Sequence, residues 1–415
     1  MKGRFTGVNK RTDIAVIGGG ASGLAAAIGA KTANPSAEVL IVEKLAKTGR
    51  KILVTGSGRC NLGNGEPAPR FYHGSVRNAA EIIAAGSGSA EFFASLGVLT
   101  CADSQGRLYP VSNSGASVLG ALRLKNAELG TEELCGFGVT DFRREKNGYT
   151  LISESGEVSC RRMIIAAGGY AAPSLGTDGG MLRLLKNHGY KSAKICPGIA
   201  PLRVAPESVK GLKGVRVKGK ISAVTEGRIL REEYGEIQFT ENSLSGICVF
   251  NLAGLFSQYE GRLSLVADLL PDMTHHEVED YLFSVRRLRK GSTADELLTG
   301  AFVRNLAVYL VKTTLDRQMT DKIPDITDRE IKRLAQRIKG LEFRVTGCSS
   351  WQNAQVTFGG IHGSCVDENL RSVRDSGIYF AGEILDIAGD CGGFNLEWAW
   401  ASGLWAGKKC AESLM

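Results

Sequence analysis

Several common protein classes are excluded by what this sequence lacks. It has 10 cysteines, but no Cys-x-x-Cys pair and no His and Cys residues at the spacing of a zinc site. No stretch approaches the roughly 18 apolar residues of a membrane-spanning helix, and residues 1–12 are polar and basic, unlike a signal peptide. We therefore expect a cytoplasmic protein with reduced thiols, no bound metal and no membrane partner.

Strong charge of either sign is also missing. Lysine and arginine number 51 against 43 aspartates and glutamates, and the net charge of +8 is scattered along the chain. Hydrophobic residues at 43% and charged residues at 23% are typical of a globular protein. Glycine is the exception, with 53 of 415 residues. Its clusters near both ends of the chain indicate glycine-built binding loops.

The N-terminal region predicts a Rossmann-type βαβ unit. Residues 13–17 form a short apolar run typical of a buried parallel strand. A Gly-Gly-Gly-Ala-Ser-Gly loop follows at once, and residues 24–32 are Ala-rich and helical. A second buried strand covers residues 38–42 and ends at Glu43. These flanking elements make the glycine loop a specific indication of dinucleotide binding, which the loop pattern alone is not.

The glycines of this loop have separate expected tasks. Gly18 makes the turn off the strand, Gly20 lets a pyrophosphate approach the backbone, and Gly23 lets the helix pack against the sheet. Glu43 lies where a carboxylate accepts hydrogen bonds from ribose hydroxyls, and its charge disfavours the 2′-phosphate of NADP. The phosphates are expected at the helix N-terminus, on Gly18, Gly20, Ala21, Ser22 and Gly23. The motif does not separate FAD from NAD.

Two further segments favour the longer flavin cofactor. A basic stretch and a Gly/Ser loop follow Glu43, and their expected cofactor-binding residues are Lys44, Arg50, Lys51, Gly56, Ser57, Gly58 and Asn61. Near the C-terminus, a strand over residues 377–381 runs into a Gly-Glu turn, a Gly-Gly pair and a helix over residues 396–414. The N-terminus of that helix is a second positive dipole end, which suits a flavin edge where negative charge develops on reduction.

Two middle segments are expected to complete the same sheet. Residues 162–169 predict a buried strand that ends in small residues, with Ala167 and Gly168 as cofactor-binding positions. Residues 138–143 predict a strand whose backbone contacts an adenine.

The chain resembles the bacterial flavoprotein family that includes the YhiN proteins, aminoacetone oxidase and the bile-acid Δ4,6-reductases. The matching segments are residues 17–23, 50–53, 56–61, 167–169 and 382–395, and the resemblance spans nearly the whole chain. After the segment that ends at Gly169, relatives commonly carry Ser-Tyr-Pro, whereas this chain has Tyr170-Ala171-Ala172-Pro173. The tyrosine is therefore shifted relative to the family pattern.

The resemblance implies that these segments hold FAD. Glu43 is then expected to bind the ribose, Val139 to face the adenine, and Asn61 to line the flavin together with two C-terminal residues. The C-terminal residues expected at the cofactor are Gly382, Glu383, Asp386, Gly393, Phe394 and Asn395, of which Asp386 and Phe394 line the flavin.

The expected fold class is α/β, with a Rossmann-like FAD-binding domain over residues 1–192 and 345–415 and an insertion between them. Residues 193–273 are expected to form an antiparallel β-barrel subdomain, because apolar and charged positions alternate over residues 215–221 and again at Ile237 and Phe239. Residues 274–344 predict a helical subdomain, because three capping boxes are each expected to open a helix. They are Thr274 with Glu277, Thr293 with Glu296, and Thr327 with Glu330.

These features predict an FAD-dependent oxidoreductase whose substrate is a small molecule rather than a nucleic acid. Because the sequence has one Gly-x-Gly-x-x-Gly unit with a following acid, we expect NADH to bind transiently at the flavin rather than in its own domain. Within the family two reactions compete. We favour reduction of a carbon–carbon double bond in an enone such as a 3-oxo-Δ4 or Δ4,6 bile-acid steroid, since the 10 cysteines fit an anaerobe; the alternative is oxidation of a small amine such as aminoacetone.

Other classes of function stay open. The net charge of +8 suggests an RNA-associated flavoprotein, and the N-terminal unit alone is compatible with an NAD dehydrogenase. Enone reduction requires a proton donor, and the candidates near the motifs are Tyr72, Tyr170 and His362.

Overall fold

The computed structural model describes residues 7–86, 88–315 and 317–415. The chain forms two compact units. Unit 1 comprises the residues up to Cys196 together with Gln355–Met415, and unit 2 is Pro197–Ala354. Residues 1–6, which are half of the polar and basic N-terminal stretch, lie outside the described residues. None of the helices in the described ranges has the length and apolarity needed to cross a membrane.

The strands are numbered along the chain, and unit 1 holds the first ten and the last three. They are β1 (Val8–Ile17), β2 (Val39–Glu43), β3 (Gly63–Asn64), β4 (Tyr72–Gly74), β5 (Thr100–Ala102), β6 (Arg107–Pro110), β7 (Glu132–Cys135), β8 (Val139–Glu145), β9 (Gly148–Ser153), β10 (Gly156–Ile165), β11 (Cys196–Gly198), β12 (Leu202–Val204), β13 (Arg216–Thr225), β14 (Arg228–Phe239), β15 (Ser243–Ser245), β16 (Ser264–Asp268), β17 (Leu341–Cys348), β18 (Val356–Phe358), β19 (Ile378–Phe380) and β20 (Ile387–Gly389).

The helices are numbered in the same way. They are α1 (Ala21–Ala33), α2 (Ala79–Ala85), α3 (Gly88–Ser95), α4 (Gly115–Glu128), α5 (Gly180–Asn187), α6 (Ile247–Phe250), α7 (His275–Leu288), α8 (Arg304–Thr314), α9 (Asp328–Lys339) and α10 (Phe394–Glu412).

Unit 1 is built on a sheet whose central part is parallel. Its strands β7, β2, β1, β10 and β19 pair in that order and all run in the same direction. The first half of β10 also pairs with antiparallel β9, which in turn pairs with β8. Ile14, Val16 and Ile41 are fully buried, as expected for apolar strands covered on both faces. The predicted Rossmann-like α/β fold is therefore confirmed, with β1 starting five residues earlier than the sequence pattern indicates.

The C-terminal helix α10 packs against α1 through glycine. A Cβ added to Gly407 would lie 2.1 Å from the carbonyl oxygen of Ala26, and one added to Gly403 would lie 2.4 Å from that of Ser22. On the α1 side, a Cβ at Gly29 would lie 2.5 Å from the carbonyl oxygen of Leu404. The two helix backbones are therefore in direct contact, and this contact joins the two ends of the chain.

Unit 2 contains the predicted barrel. Within its described residues, six strands close in the order β12, β15, β14, β13, β16 and β17. Helices α7, α8 and α9 share one hydrophobic core with these strands, in which Ile221, Phe343, Leu282 and Leu310 are nearly inaccessible to solvent. The barrel and the helices are thus packed as one unit.

Two of the three predicted capping boxes open an α-helix. Thr274 and Glu277 cap α7, and Thr327 and Glu330 cap α9. The expectation of a full helix after Thr293 is wrong: the box there opens only a 3₁₀ turn, Ala294–Glu296. The chain leaves that turn through Gly300, whose φ of +98° is outside the helical region.

The domain boundaries drawn from the sequence at 192/193, 273/274 and 344/345 stay predictions. One of them, at 344/345, falls inside β17. Leu341, Phe343 and Val345 lie on one buried face of the barrel, and this alternation continues across the predicted boundary. The apolar residues next to the strand obscure its start in the sequence.

Candidate functional site

The candidate site lies at the carboxyl ends of the parallel strands in unit 1. The chain leaves β1 through Gly18, whose N–H donates to the carbonyl of Val42 at 2.9 Å. The Ala166 N–H, just after β10, donates to the carbonyl of Ile17 at 2.9 Å, and the Ala381 N–H, just after β19, donates to that of Ile165 at 3.0 Å. This is the edge at which open α/β sheets bind ligands.

The glycine loop after β1 has the geometry that close backbone packing requires. Gly18 has a φ of +104°, and a Cβ there would lie 2.6 Å from the carbonyl oxygen of Ala166. A Cβ on Gly23 would lie 1.8 Å from the carbonyl oxygen of Gly18. Gly20 caps α1 without a side-chain hydrogen bond, and a Cβ built on it has no neighbour within 4 Å among the described residues. The N–H groups in the first turn of α1, which contains Ala21 and Ser22, therefore lie next to a glycine with open space beside it.

Glu43 holds the loop at the end of β2. One carboxylate oxygen accepts from the N–H of Gly19 at 2.8 Å and the other from that of Leu45 at 2.9 Å. Each oxygen has a second lone pair for a ribose hydroxyl. The Glu43 carbonyl also accepts from the Phe137 N–H at 2.9 Å. Val139, the first residue of β8, is two residues beyond this contact in the sequence.

The basic residues after Glu43 have different surroundings. Lys44 pairs with Asp178 at 2.9 Å, and Lys51 pairs with Glu383 at 2.9 Å. The Glu383 carboxylate also accepts from the Thr357 N–H at 2.8 Å, so it joins the Arg-Lys segment to the Gly-Glu turn. Arg50, by contrast, is exposed. After β10, Ala167 and Gly168 continue along the same edge, and Gly168 has a φ of +70°.

The Gly/Ser loop turns back on itself through left-handed residues and meets the C-terminal glycine pair. Gly56, Ser57 and Gly58 have φ values of 56°, 58° and 86°. In the amide orientation that satisfies its neighbours, Asn61 accepts from the Gly393 N–H at 3.0 Å and donates to the carbonyl of Gly63 at 2.9 Å. Asn61 therefore ties the loop to the N-terminal cap of α10.

The Gly-Glu turn is fixed by α10 and lies against α1. The Gly382 N–H donates to the Ser402 hydroxyl at 2.9 Å, and the Trp398 indole donates to the Gly382 carbonyl at 3.2 Å. A Cβ on Gly382, where φ is +75°, would lie 2.4 Å from the Ser22 hydroxyl. The backbone of this turn thus approaches the first turn of α1 directly.

Three predicted C-terminal residues shape the loop before α10. Phe394 is buried and stacks on Phe71 with ring centroids 4.4 Å apart. The Asn395 amide accepts from the Gly389 N–H at 2.8 Å and donates to the Gly389 carbonyl at 2.7 Å. The Asp386 carboxylate accepts from the Ser75 hydroxyl at 2.6 Å. Gly393 is the N-terminal cap of α10 and has a φ of +100°, and its N–H is the group that donates to Asn61.

The three candidate proton donors lie in different surroundings. The Tyr72 ring contacts Phe394 edge-on, with centroids 5.8 Å apart. Its hydroxyl is buried without a hydrogen-bond partner among the described residues, and burial, with a smaller effect from Glu397, holds its pKa well above the usual range. The Tyr170 hydroxyl accepts from Arg183 at 3.1 Å. His362 accepts from the Ser364 N–H at 3.1 Å and caps a 3₁₀ turn.

Three titratable side chains beside α10 were missed by the sequence reasoning. His73 on β4 contacts Asp390 at 2.8 Å, and the Glu397 carboxylate in the first turn of α10 accepts from the Ser89 hydroxyl at 2.6 Å. Burial raises the pKa of Glu397. The position of Asp390, two residues before the Gly-Gly pair, was the one indication of it in the sequence. Nothing in the local sequence identifies its partner His73.

These residues fit FAD. Two helix N-termini, each capped by a glycine, supply the N–H groups of a first turn and a positive dipole end. The Glu43 carboxylate supplies acceptors for a ribose. The unpartnered Tyr72 hydroxyl is a buried polar group beside the second helix start. The two glycine regions come from opposite ends of the chain and are joined through Asn61–Gly393, Lys51–Glu383 and the approach of Gly382 to Ser22.

The chain is similar to several known proteins over nearly its whole length. The model of the HI0933-like protein Rossmann domain matches residues 12–409. A 3-dehydro-bile acid Δ(4,6)-reductase from Clostridium scindens is 33% identical over 407 residues, which cover 96% of this chain and 99% of the relative. A ribosomal RNA dihydrouridine synthase from Haemophilus influenzae is 27% identical, with 93% of this chain and 95% of the relative covered; one from Escherichia coli is also 27% identical, with 98% of each covered.

A solved structure supports the fold. The 3-ketosteroid Δ1-dehydrogenase from Sterolibacterium denitrificans superimposes with a TM-score of 0.50 at 14% identity, over 97% of this chain and 100% of that chain. At this identity the likeness concerns the fold alone. The family model covers nearly the whole chain, and the chain therefore belongs to the HI0933-like family of Rossmann-domain proteins and is an FAD-dependent oxidoreductase.

Proposed function

We propose that this protein reduces a carbon–carbon double bond conjugated with a carbonyl group, with NADH as the electron donor. The observation that carries the proposal is the meeting of both glycine regions at the carboxyl edge of one sheet, where Asn61 joins the Gly/Ser loop to the cap of α10. Bound FAD supplies two-electron chemistry at such an edge. The protein supplies the binding, the orientation and the charge stabilisation.

The residues of the site have distinct proposed roles. The N–H groups at the start of α1, beside Gly20, bind the pyrophosphate, and Glu43 binds the ribose. The N-terminus of α10 at Gly393 stabilises negative charge at the edge of the cofactor that faces it. Lys51 and Glu383 hold the Gly-Glu turn against the Arg-Lys segment. Val139, which follows the contact of Phe137 with Glu43, faces the adenine.

The similar proteins support the reaction class more strongly than any one substrate. A Δ(4,6)-reductase of a 3-dehydro bile acid and a dihydrouridine synthase both, by their names, add two hydrogens across a carbon–carbon double bond. In both substrates that bond is conjugated with a carbonyl group. The higher identity, 33%, is to the bile-acid enzyme, and we therefore propose a 3-oxo-Δ4 or Δ4,6 steroid as the leading substrate.

A pyrimidine base in RNA is the second candidate substrate. It is favoured by the two relatives named ribosomal RNA dihydrouridine synthase and by the net charge of +8. The expectation of no nucleic-acid partner accordingly stays a prediction. RNA binding through phosphate contacts would weaken steeply with added salt.

The test is an anaerobic substrate screen with FAD-loaded protein, read by the absorbance of the oxidised flavin. NADH is expected to bleach the flavin, and a 3-oxo-Δ4 steroid to restore it with formation of the saturated product. Restoration by a ribosomal RNA fragment but not by the steroid would support the second candidate. Bleaching by aminoacetone, with no response to NADH or NADPH, would contradict the reductase and support an amine oxidase.

A further inference from the structure

A histidine–carboxylate pair lies beside the glycine cap of α10. His73 is on β4 and stands opposite Ala388 of β20 in an antiparallel pair. Asp390 is the residue after β20, and its carboxylate oxygen is 2.8 Å from His73 Nε2. The Asp390 side chain is only 5% exposed, whereas that of His73 is 38% exposed. The carboxylate is thus inside the protein, and the ring it holds is accessible to a bound molecule.

The loop that carries Asp390 is fixed on both sides. The Asp390 N–H donates to the carbonyl of Phe71 at 2.9 Å, and Phe71 stacks on Phe394 in the first turn of α10. Asn64 donates to the Gly392 carbonyl at 3.1 Å. His73 is therefore held next to the helix N-terminus that the proposed function assigns to the flavin.

We propose that His73 is the proton donor of the reduction and that Asp390 is its positioning residue. This inference rests on the proposed function. In the reaction one alkene carbon gains a hydride equivalent from reduced flavin, the carbon next to the carbonyl gains the proton of the His73 imidazolium, and solvent returns a proton to the imidazole. The two electrons come from the reduced nicotinamide that reduces the flavin, so atoms and electrons balance.

The neighbouring titratable groups are less suited to this role. Burial raises the pKa of Cys391 to about 11 and holds that of Tyr72 far above neutrality, so both keep their protons near pH 7. Glu397, whose charge adds to the rise in the pKa of Tyr72, is itself buried. Arg107, whose charge opposes the rise in the pKa of Cys391, is a permanent cation. The His73 side chain, by contrast, is 38% exposed, and histidine is the side chain that most often serves as a general acid.

The kinetic test separates the two half-reactions in a His73→Gln variant. Reduction of the flavin by NADH is expected to stay as in the wild type, whereas reoxidation by the enone is expected to slow by about 100-fold or more. Imidazole added to a His73→Ala variant is expected to restore part of that rate, which no structural role of His73 explains. The matched control is His275→Gln, which removes another His–carboxylate pair, His275 with Glu279 at 3.3 Å on α7.

A second readout needs neither flavin nor substrate. The ring nitrogen resonances of His73, measured by NMR in flavin-free protein, are expected to shift in Asp390→Asn, because the contact of Nε2 with the carboxylate is lost. With 5 histidines in the chain, the resonance can be assigned from single variants. Unmoved resonances would overturn the positioning role of Asp390.

The outcomes distinguish the two proposals. If His73→Gln protein is reoxidised by the enone at the wild-type rate, the role of His73 is wrong and the proposed function stands. If no conjugated substrate reoxidises the wild-type flavin, the proposed function is wrong and the proton-donor role falls with it.

Discussion

At the scale of the residue, Glu43 supports the glycine loop and is also the proposed ligand of the ribose. One of its oxygens accepts from the N–H of Gly19, which follows β1, and the other from the N–H of Leu45, which follows β2. These two hydrogen bonds orient the carboxylate. A carboxylate oriented in advance binds ribose hydroxyls without losing side-chain entropy at that moment. The same contacts make it a support of the glycine loop.

Replacing Glu43 with Ala is expected to weaken FAD binding. Loss of hydrogen bonds to a charged acceptor costs about 1.5–3 kcal/mol, so the dissociation constant measured by flavin fluorescence titration should rise by roughly 10- to 100-fold. The control is Glu38→Ala, an exposed residue just before the same strand, which should leave the affinity as it is. Equal affinity of the Glu43 variant and the wild type would contradict the ribose role.

Glu330 of unit 2 gives a pH-dependent contribution to stability. Its carboxylate accepts from Arg317 at 2.8 Å and from the Thr327 N–H at 2.8 Å. The Arg317 hydrogen bond, together with those of Thr327, lowers its pKa from the usual 4.5 to about 2. A group whose pKa is lowered by folding stabilises the protein above its unfolded pKa and loses that contribution as the pH falls towards the folded pKa.

Replacing Glu330 with Gln is therefore expected to lower the free energy of unfolding of unit 2 by about 1–2 kcal/mol at pH 7. The difference from the wild type should be full above pH 4.5 and shrink as the pH falls towards 2. Urea titrations at several pH values measure it. Glu277→Gln removes a similar capping box on α7 and should show a smaller effect; a pH-independent loss in the Glu330 variant would contradict the assignment.

At the scale of the element, the crossing of α1 and α10 determines where both helix N-termini lie. The crossing depends on Gly29, Gly403 and Gly407, where each added Cβ would meet a backbone oxygen of the other helix. Backbone atoms cannot move aside as a flexible side chain does. The geometry of the proposed cofactor site is therefore coupled to the absence of side chains at these glycines, some turns away from it.

Replacing Gly407 with Ala is expected to destabilise unit 1 by about 1–3 kcal/mol, the usual effect of overpacking, and to weaken FAD retention. Thermal unfolding and the flavin content of purified protein measure the two effects. Gly120→Ala on α4 is the matched control, because its Cβ has no neighbour within 4 Å among the described residues; there the change should be neutral or stabilising. Equal stability of the two variants would contradict the close crossing.

At the scale of the whole molecule, the sequence predicts what depends on local patterns. The βαβ unit, the barrel and α10 follow from buried apolar runs, alternation and glycine punctuation. The pairs that join the ends of the chain do not: Lys51–Glu383 and His73–Asp390 are separated by 332 and 317 residues. Such pairs arise only after β4 meets β20 and β19 meets β10, and no local preference of either residue indicates them.

If the two ends of the chain form one FAD site, as we propose, an experimental structure of the FAD-loaded protein tests this directly. We expect the pyrophosphate at the N–H groups beside Gly20, the ribose at Glu43, and the isoalloxazine against the cap of α10 at Gly393. A flavin that contacts Gly20 but lies away from Gly393 and His73 would contradict it.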